Sequence, residues 1–312
     1  MSLPYHILDV FTSTPFLGNP LAIVTLPPHT TLSTPQKQSI AKEFNLSETV
    51  VVHDIHNPTG SSERHFDIFT PRAELPFAGH PTIGTAAHLY EQGAKTLIAK
   101  AGRIDIEKTN SGALRAAIPH DVRLHWERLP LPTSVSTNND TLQREIAEAE
   151  NGAPLFSIVN GMAFALIELP SLEHLSAVEL GVAPELPVEL LDEGWHGGWS
   201  TRRYYYVVLD SEEGEDKATY RLRTRMVKVS PAMEDPATGS AACALGSYLS
   251  LHKSSAQAVA FEITQGVEMG RESHILIDTC VEQDADGARS LQTVHLGGTA
   301  VQVASGTIAV PA

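Results

Sequence analysis

Two short turn-then-helix segments hold the residue types best suited to chemistry. They are Phe77-Ala-Gly-His-Pro-Thr-Ile-Gly-Thr-Ala-Ala87 and Glu234-Asp-Pro-Ala-Thr-Gly-Ser-Ala-Ala242. In each, a polar turn containing glycine runs into a helix of Ala, Thr and Ser. Backbone N–H groups at a helix start lack intrahelical partners and point at one spot, which favours a negative charge there. Two such starts suggest paired half-sites that grip a small carboxylate between two lobes, where ligand clefts commonly lie. A third segment, Asn45-Leu-Ser-Glu-Thr49 ahead of Val50-Val-Val52, adds a carboxylic acid in apolar surroundings. The combination points to proton movement on a small acidic molecule.

Each candidate side chain has a second, plainer reading. Glu48 is either a partly desolvated acid/base, its pKa raised by its apolar neighbours, or a surface glutamate flanking a strand. His80 either donates to a ligand oxygen near neutrality or packs against the neighbouring strand. Asp235 either orients His80 or Glu48 across a cleft, or satisfies N–H groups at a helix start. Thr238, Gly239 and Ser240 offer hydroxyls and amides to a carboxylate, a role compatible with simple capping.

Other chemistries find no motif. There is no Gly-x-Gly-x-x-Gly or Walker loop, no His-Glu-x-x-His and no Gly-x-Ser-x-Gly elbow, so neither a cofactor nor a metal is expected. Cys243, inside a small-residue helix, reads as a buried inert thiol rather than a nucleophile.

The elements that must position these residues are mostly strands. Ile7–Thr12, Ala22–Leu26, Thr49–Ile55 and Phe66–Phe69 are rich in β-branched and aromatic residues and bounded by Pro, Gly or Asn. Thr34-Pro35 opens a helix to about Phe44, with Thr34 as cap, and a second helix runs from Thr82 to Gln92. A three-strand meander covers Thr96–Ile118. Prolines 119, 130 and 132 then precede the polar run Thr133–Asn151 and place a boundary. The expected lobes are residues 1–122 and 123–299, with a last strand at about 300–312 packing back on the first.

In the second lobe, strands fall near Ser157–Leu169, Arg203–Leu209 and Tyr220–Val229, then a helix from Thr238 to Ser250 and four more strands. Sliding Gly79–Leu89 onto Asp235–Leu245 matches Thr82 with Thr238, Ala86 with Ala242 and Leu89 with Leu245. That likeness hints at a pseudo-twofold repeat.

Bulk composition narrows the class. A chain of 312 residues with 42% hydrophobic content can fill two domain cores. Its formal charge of −15 argues against nucleic-acid or anionic-membrane partners. Two cysteines, no leader pattern and no long apolar run fit a soluble cytoplasmic protein.

The motifs resemble the phenazine-biosynthesis PhzF-like isomerases, in the same order over nearly the whole chain. They are Val10-Phe-Thr12 with Pro15-Phe-Leu-Gly-Asn-Pro20, Asn45–Glu48, Phe69-Thr-Pro71 with Phe77–His80, Glu234–Ala241 and Gln265-Gly-Val-Glu-Met-Gly-Arg271. The resemblance implies the diaminopimelate-epimerase fold. That is an α+β architecture of two pseudo-symmetric lobes, each a curved, mostly antiparallel sheet or barrel around a central helix. It also implies Glu48 as acid/base, His80 and Asp235 as its assistants, and Ser47, Gly79, Thr238, Gly239 and Ser240 as substrate contacts, with a homodimer as the assembly.

The expected activity is a cofactor-independent proton shift on a small carboxylate. A non-catalytic carboxylate binder and an epimerase or racemase of the same fold are the alternatives. The absence of a cysteine from both turns disfavours a two-thiol racemisation.

Overall fold

Leu3, Leu8 and Val10 of Ser2–Val10 and the apolar run 21–24 of Asn19–Thr25 are buried, and the two strands pair as the antiparallel hairpin β1 and β2, with Val10 opposite Asn19. The computed structural model describes residues 1–53, 62–131, 141–181, 185–197, 202–228 and 232–311. The chain forms two compact units, Met1–Ile118 with Leu296–Ala312, and Pro119–His295.

In the first unit, α1 (Thr34–Phe44) leads from β2 to β3 (Thr49–Val52), which lies parallel to β2. Antiparallel β4 (Glu63–Phe69) follows, with the short β5 (Glu74–Leu75) on it. After α2 (Gly79–Leu89), β6 (Thr96–Ala99) returns parallel to β4, and β7 (Gly102–Lys108) and β8 (Leu114–Ala117) continue antiparallel. The late strand β18 (Ala300–Ala309) pairs antiparallel with β1. Helix α2 contacts β8 at one extreme of this sheet and β18 and β1 at the other, so the sheet curls around it.

The second unit comprises β9 (Arg123–Arg128), α3 (Thr141–Glu150), β10 (Pro154–Val159), β11 (Met162–Glu168), α4 (Leu172–Ala177), β12 (Arg202–Glu213) and β13 (Lys217–Lys228). It continues with β14 (Met233–Asp235), α5 (Gly239–His252), β15 (Ala258–Gln265), β16 (Ser273–Gln283) and β17 (Arg289–Gly298), the last running into the segment assigned to the first unit. Its pairings repeat those of the first unit step for step. From β10 to β16 they run antiparallel, parallel, antiparallel, antiparallel onto the short strand, parallel and antiparallel, the order found from β1 to β7. Strand β9 on β10 corresponds to β18 on β1. Helix α5 touches β10, β11, β15 and β16, enclosed as α2 is.

Each unit is thus a mixed, mostly antiparallel sheet around a buried helix, the α+β architecture expected from sequence. Enclosure demands small side chains on the helix. A Cβ on Gly84 would meet Leu21 Cδ2 at 2.4 Å and Val10 Cγ2 at 2.8 Å, and one on Gly246 would meet Ile277 Cγ2 at 2.9 Å. Both glycines therefore mark the closest approach of helix to sheet. Gly84→Ala is expected to cost about 1–3 kcal/mol by overpacking, read as a lowered urea midpoint with unchanged m-value.

Some boundaries differ from expectation. Ser33, not Thr34, caps α1, in a reciprocal capping box with Gln36. Helix α2 begins three residues before Thr82, because Pro81 lies in a first turn whose N–H groups have no intrahelical partner in any case. The late strands expected at Ala300–Val303 and Thr307–Val310 are one continuous strand. The polar run ending at Asn151 contains α3, which buries Ile146, Ala147 and Glu150. Residues 132–140, the end of the Leu191–Ser200 segment at 198–200, and Asp54 and Ile55 beyond β3 lie outside the described residues. Among the described residues no helix is long and apolar enough to cross a membrane.

Next to the C-terminal end of α2, the His88 ring sits 4.7 Å from that of His6. Burial, with a smaller contribution from His6, pushes the His88 pKa down to about 4. The unfolded chain therefore takes up this proton first, and stability should fall as pH drops from about 6.5 toward 4. The loss should be on the order of 2 kcal/mol after allowance for partial exposure. Urea midpoints measured from pH 7 to 4 should fall less steeply in His88→Gln.

Candidate active site

The first cluster forms where α1 ends. Asn45 takes the left-handed conformation (φ 50°) and its N–H bonds to Ala41 O, terminating the helix. Four residues later, at Thr49, the chain enters β3, and Glu48 sits at that junction. Its Oε2 lies 3.1 Å from Nδ1 of His80, with the glutamate side chain 20% exposed and the histidine 5%. The surface reading of Glu48 therefore does not hold, since most of its side chain is buried beside an imidazole.

His80 is the second residue of α2 rather than part of the preceding turn, and Gly79 is the first. Ala78 stands at the cap position with no side-chain hydrogen bond, so no side chain closes this helix start. The Nε2 of His80 and the Oγ of Ser47 are both buried and find no partner within the protein. A ligand could satisfy both atoms, and the positive end of the helix dipole at the same place would favour an anion.

The second cluster is built on β14 and the start of α5. Thr238 is the N-cap, but its side chain makes no capping bond; its hydroxyl instead donates to Asp235 Oδ2 at 2.7 Å. Gly239 and Ser240 are the first two helical residues, Gly239 buried and Ser240 half-buried. Strand β5 ends at Leu75 and α2 starts at Gly79, while β14 ends at Asp235 and α5 starts at Gly239. The equivalent pairs are therefore Pro76 with Pro236 and Gly79 with Gly239. The sequence overlay of Gly79 on Asp235 is offset from this by about one helical turn.

The strand leading to Asp235 is anchored by a buried ion pair. Arg225 grips Glu234 through Nε at 2.8 Å and Nη2 at 2.7 Å, and its Nη1 donates to the carbonyls of Leu175, Ser176 and Val178. This bidentate geometry, together with the carbonyls, compensates the guanidinium for lost water.

Comparison with known proteins gives this geometry a context. The family described as phenazine biosynthesis-like protein (PhzC-PhzF) matches residues 8–306. The chain belongs to this family. An uncharacterized isomerase of Mesorhizobium japonicum is 31% identical over 322 residues, 97% of this chain and 98% of the relative. A trans-2,3-dihydro-3-hydroxyanthranilate isomerase of Pseudomonas chlororaphis is 33% identical, covering 97% of this chain and 98% of that one. Among solved structures, a PhzF-family protein of Bacillus anthracis overlays with a TM-score of 0.70 at 20% identity, covering 99% of this chain and 100% of that chain. A hydroxyproline epimerase of Agrobacterium vitis shares the fold with a TM-score of 0.57 at 11% identity, over 98% of this chain and 92% of that one. With its family the protein is an isomerase.

Two other features resemble nucleophilic sites but lack the required geometry or environment. Cys243 is 1% exposed, and burial pushes its thiol pKa well above the ordinary range, which disfavours the thiolate a nucleophile needs. Ser157, His125 and Asp192 approach one another like a nucleophilic triad, with His125 Nε2 2.8 Å from Ser157 Oγ. The Asp192 backbone N–H, however, donates to His125 Nδ1 at 3.0 Å, so Nδ1 must accept and Nε2 must carry the proton. That tautomer cannot take a proton from serine. The Asp192 carboxylate is engaged instead by Arg123 and by the Trp126 N–H. Among the described residues, no group of three or more His, Cys, Asp or Glu side chains is placed to hold a metal.

Sequence reasoning missed the supports of the second cluster, Arg225 and Gln265. Both sit in strands whose pattern signals only burial, and a buried Arg two residues from another Arg was the available cue. Arg225→Met should destabilise the protein by about 3–5 kcal/mol by stranding Glu234, whereas Arg225→Met with Glu234→Leu should recover much of that loss in chemical denaturation.

Proposed function

We propose that this protein shifts a proton within a small carboxylate-bearing metabolite without a cofactor, Glu48 acting as general acid/base and His80 as its partner. The observation that carries this reading is the Glu48–His80 contact at 3.1 Å, together with the buried, unpartnered Nε2 on the far side of the imidazole. In the forward step the Glu48 carboxylate takes a proton from an acidic carbon, and the electron pair moves into the conjugated system. The resulting carboxylic acid, which exchanges its proton with solvent, protonates another carbon, so the net reaction is an isomerisation that consumes and releases nothing else. A single group serving both steps suits transfer on one face of the substrate.

Developing negative charge would be stabilised by the start of α2 and by the Ser47 hydroxyl, while His80 holds the Glu48 carboxylate through Nδ1–H, which leaves Nε2 to accept from a donor on the substrate. In the same reading Gly79, Gly239 and Ser240 hold the substrate and Asp235 assists, while Thr238, expected as a substrate contact, gives its hydroxyl to Asp235 and its N–H to Gln265 and shapes the turn instead. The relatives named trans-2,3-dihydro-3-hydroxyanthranilate isomerase make that compound the first substrate to test. A two-thiol racemisation is disfavoured, because Ala78 and Thr238 occupy the two cap positions and Cys243 is buried.

Proton NMR in D₂O with that compound and other ring carboxylates tests the proposal. Wild type should incorporate deuterium at carbon, and Glu48→Gln should lose at least about 10³-fold in rate while still folding. Full activity in Glu48→Gln would sink the assignment; binding without exchange in wild type would favour a non-catalytic carboxylate binder.

A further inference from the structure

Gln265, the first residue of the Gln-Gly-Val-Glu-Met-Gly-Arg segment, lies at the end of β15 with no solvent exposure. Its amide is saturated. Nε2 donates to Asp235 O at 2.7 Å and to Thr238 Oγ1 at 3.1 Å, while Oε1 accepts from Thr238 N–H at 3.3 Å and from Tyr204 Oη at 3.0 Å. The backbone fixes which end is which: Asp235 O can only accept and Thr238 N–H can only donate, so the amide cannot be reversed. The following residue secures the placement. Gly266 has φ +77°, and a Cβ there would come within 2.6 Å of both Pro236 O and Arg271 O.

This arrangement dictates the polarity of everything between Gln265 and Asp235. Because Nε2 donates to Thr238 Oγ1, the single hydroxyl hydrogen of Thr238 is left to point at Asp235 Oδ2, 2.7 Å away. Further back, Tyr204 Oη lies 3.0 Å from both Thr224 Oγ1 and Gln265 Oε1. Tyr204 and Thr224 are wholly buried, and Thr238 nearly so. From Tyr204 through Gln265 and Thr238, donors therefore face one way and end on a carboxylate.

We propose that Gln265 is a positioning residue of the isomerase site: it sets the direction of the Thr238 hydroxyl and thereby holds the Asp235 carboxylate in one orientation as an acceptor. The inference rests on the reading of Asp235 as part of that site. An amide is required because a carboxylate of the same shape has no donor. In Gln265→Glu the Thr238 hydroxyl would turn toward the new carboxylate, the Asp235 carboxylate would lose that donor, and the Asp235 main-chain carbonyl would lose Nε2.

A double-mutant cycle tests the direction of this relay without any substrate. Gln265→Glu should raise the unfolding equilibrium constant at least about tenfold. Adding Asp235→Asn should return part of that factor, because the new amide can donate to Thr238 Oγ1 while the Thr238 hydroxyl turns to the new carboxylate, although the main-chain carbonyl at position 235 stays without its donor. Thr238→Val should abolish this coupling and Thr238→Ser should preserve it. A coupling below about twofold, or one that survives Thr238→Val, would overturn the proposal.

A functional arm uses trans-2,3-dihydro-3-hydroxyanthranilate in D₂O. Gln265→Glu, held well below its melting temperature, should lower kcat at least about tenfold with KM little changed, and a change confined to KM would overturn the positioning role. No exchange by wild type would instead count against the isomerase reading for this compound, while the stability cycle still decides the relay.

Discussion

A helix surrounded by strands can exist only if its own side chains are small enough for the sheet to close. Both central helices meet that condition with Gly, Ala, Ser and Thr, and Gly84 and Gly246 sit where the sheet comes nearest. Enclosure leaves such a helix only its ends for contact with a ligand. Its flanks are buried against apolar strands, and its last turn is tied into the following chain. What remains is the first turn, where amides have no intrahelical partner and a ligand can approach. A ligand can therefore reach these helices only at short segments such as Phe77–His80 and Asp235–Ser240.

The two helix starts solve the same backbone problem with different side chains. Both follow a short strand, a proline and two more residues, and open on glycine. The first then offers His80 to a glutamate from another strand junction, whereas the second ties Thr238 to Asp235 through a buried amide. One cluster leaves polar atoms without protein partners, Ser47 Oγ and His80 Nε2; in the other, Thr238 and Gln265 use their side-chain capacity internally. The first keeps polar atoms open to a ligand, and the second holds a fixed shape.

Much of this was legible in the sequence, because β-branched runs bounded by Pro and Gly fix strands, and small-residue runs after polar turns mark the buried helices. The candidate residues could be named because glycine next to His80, and Asp235 ahead of Pro-Ala-Thr-Gly, are unusual combinations at helix starts. The exact start of α2 was not legible, since Pro81 reads as a breaker unless the first turn is known to tolerate it. Helix α3 was hidden in a polar run whose buried members, Ile146, Ala147 and Glu150, are few. Gln265 was visible only as part of a motif, because nothing local reveals that a strand-end amide will reach a turn 27 residues earlier in the chain.

The pairing of β18 with β1 joins segments from opposite ends of the sequence, whereas the corresponding strand of the other unit, β9, pairs with its near neighbour β10. During synthesis the two units therefore mature out of order. Residues 119–295 can complete their own sheet soon after they emerge, but the earlier-made unit must wait with one edge of β1 open until residues 300–309 arrive. Exposed strand edges recruit other strands. Until residues 300–309 emerge, the nascent chain is thus open to aggregation at the β1 edge.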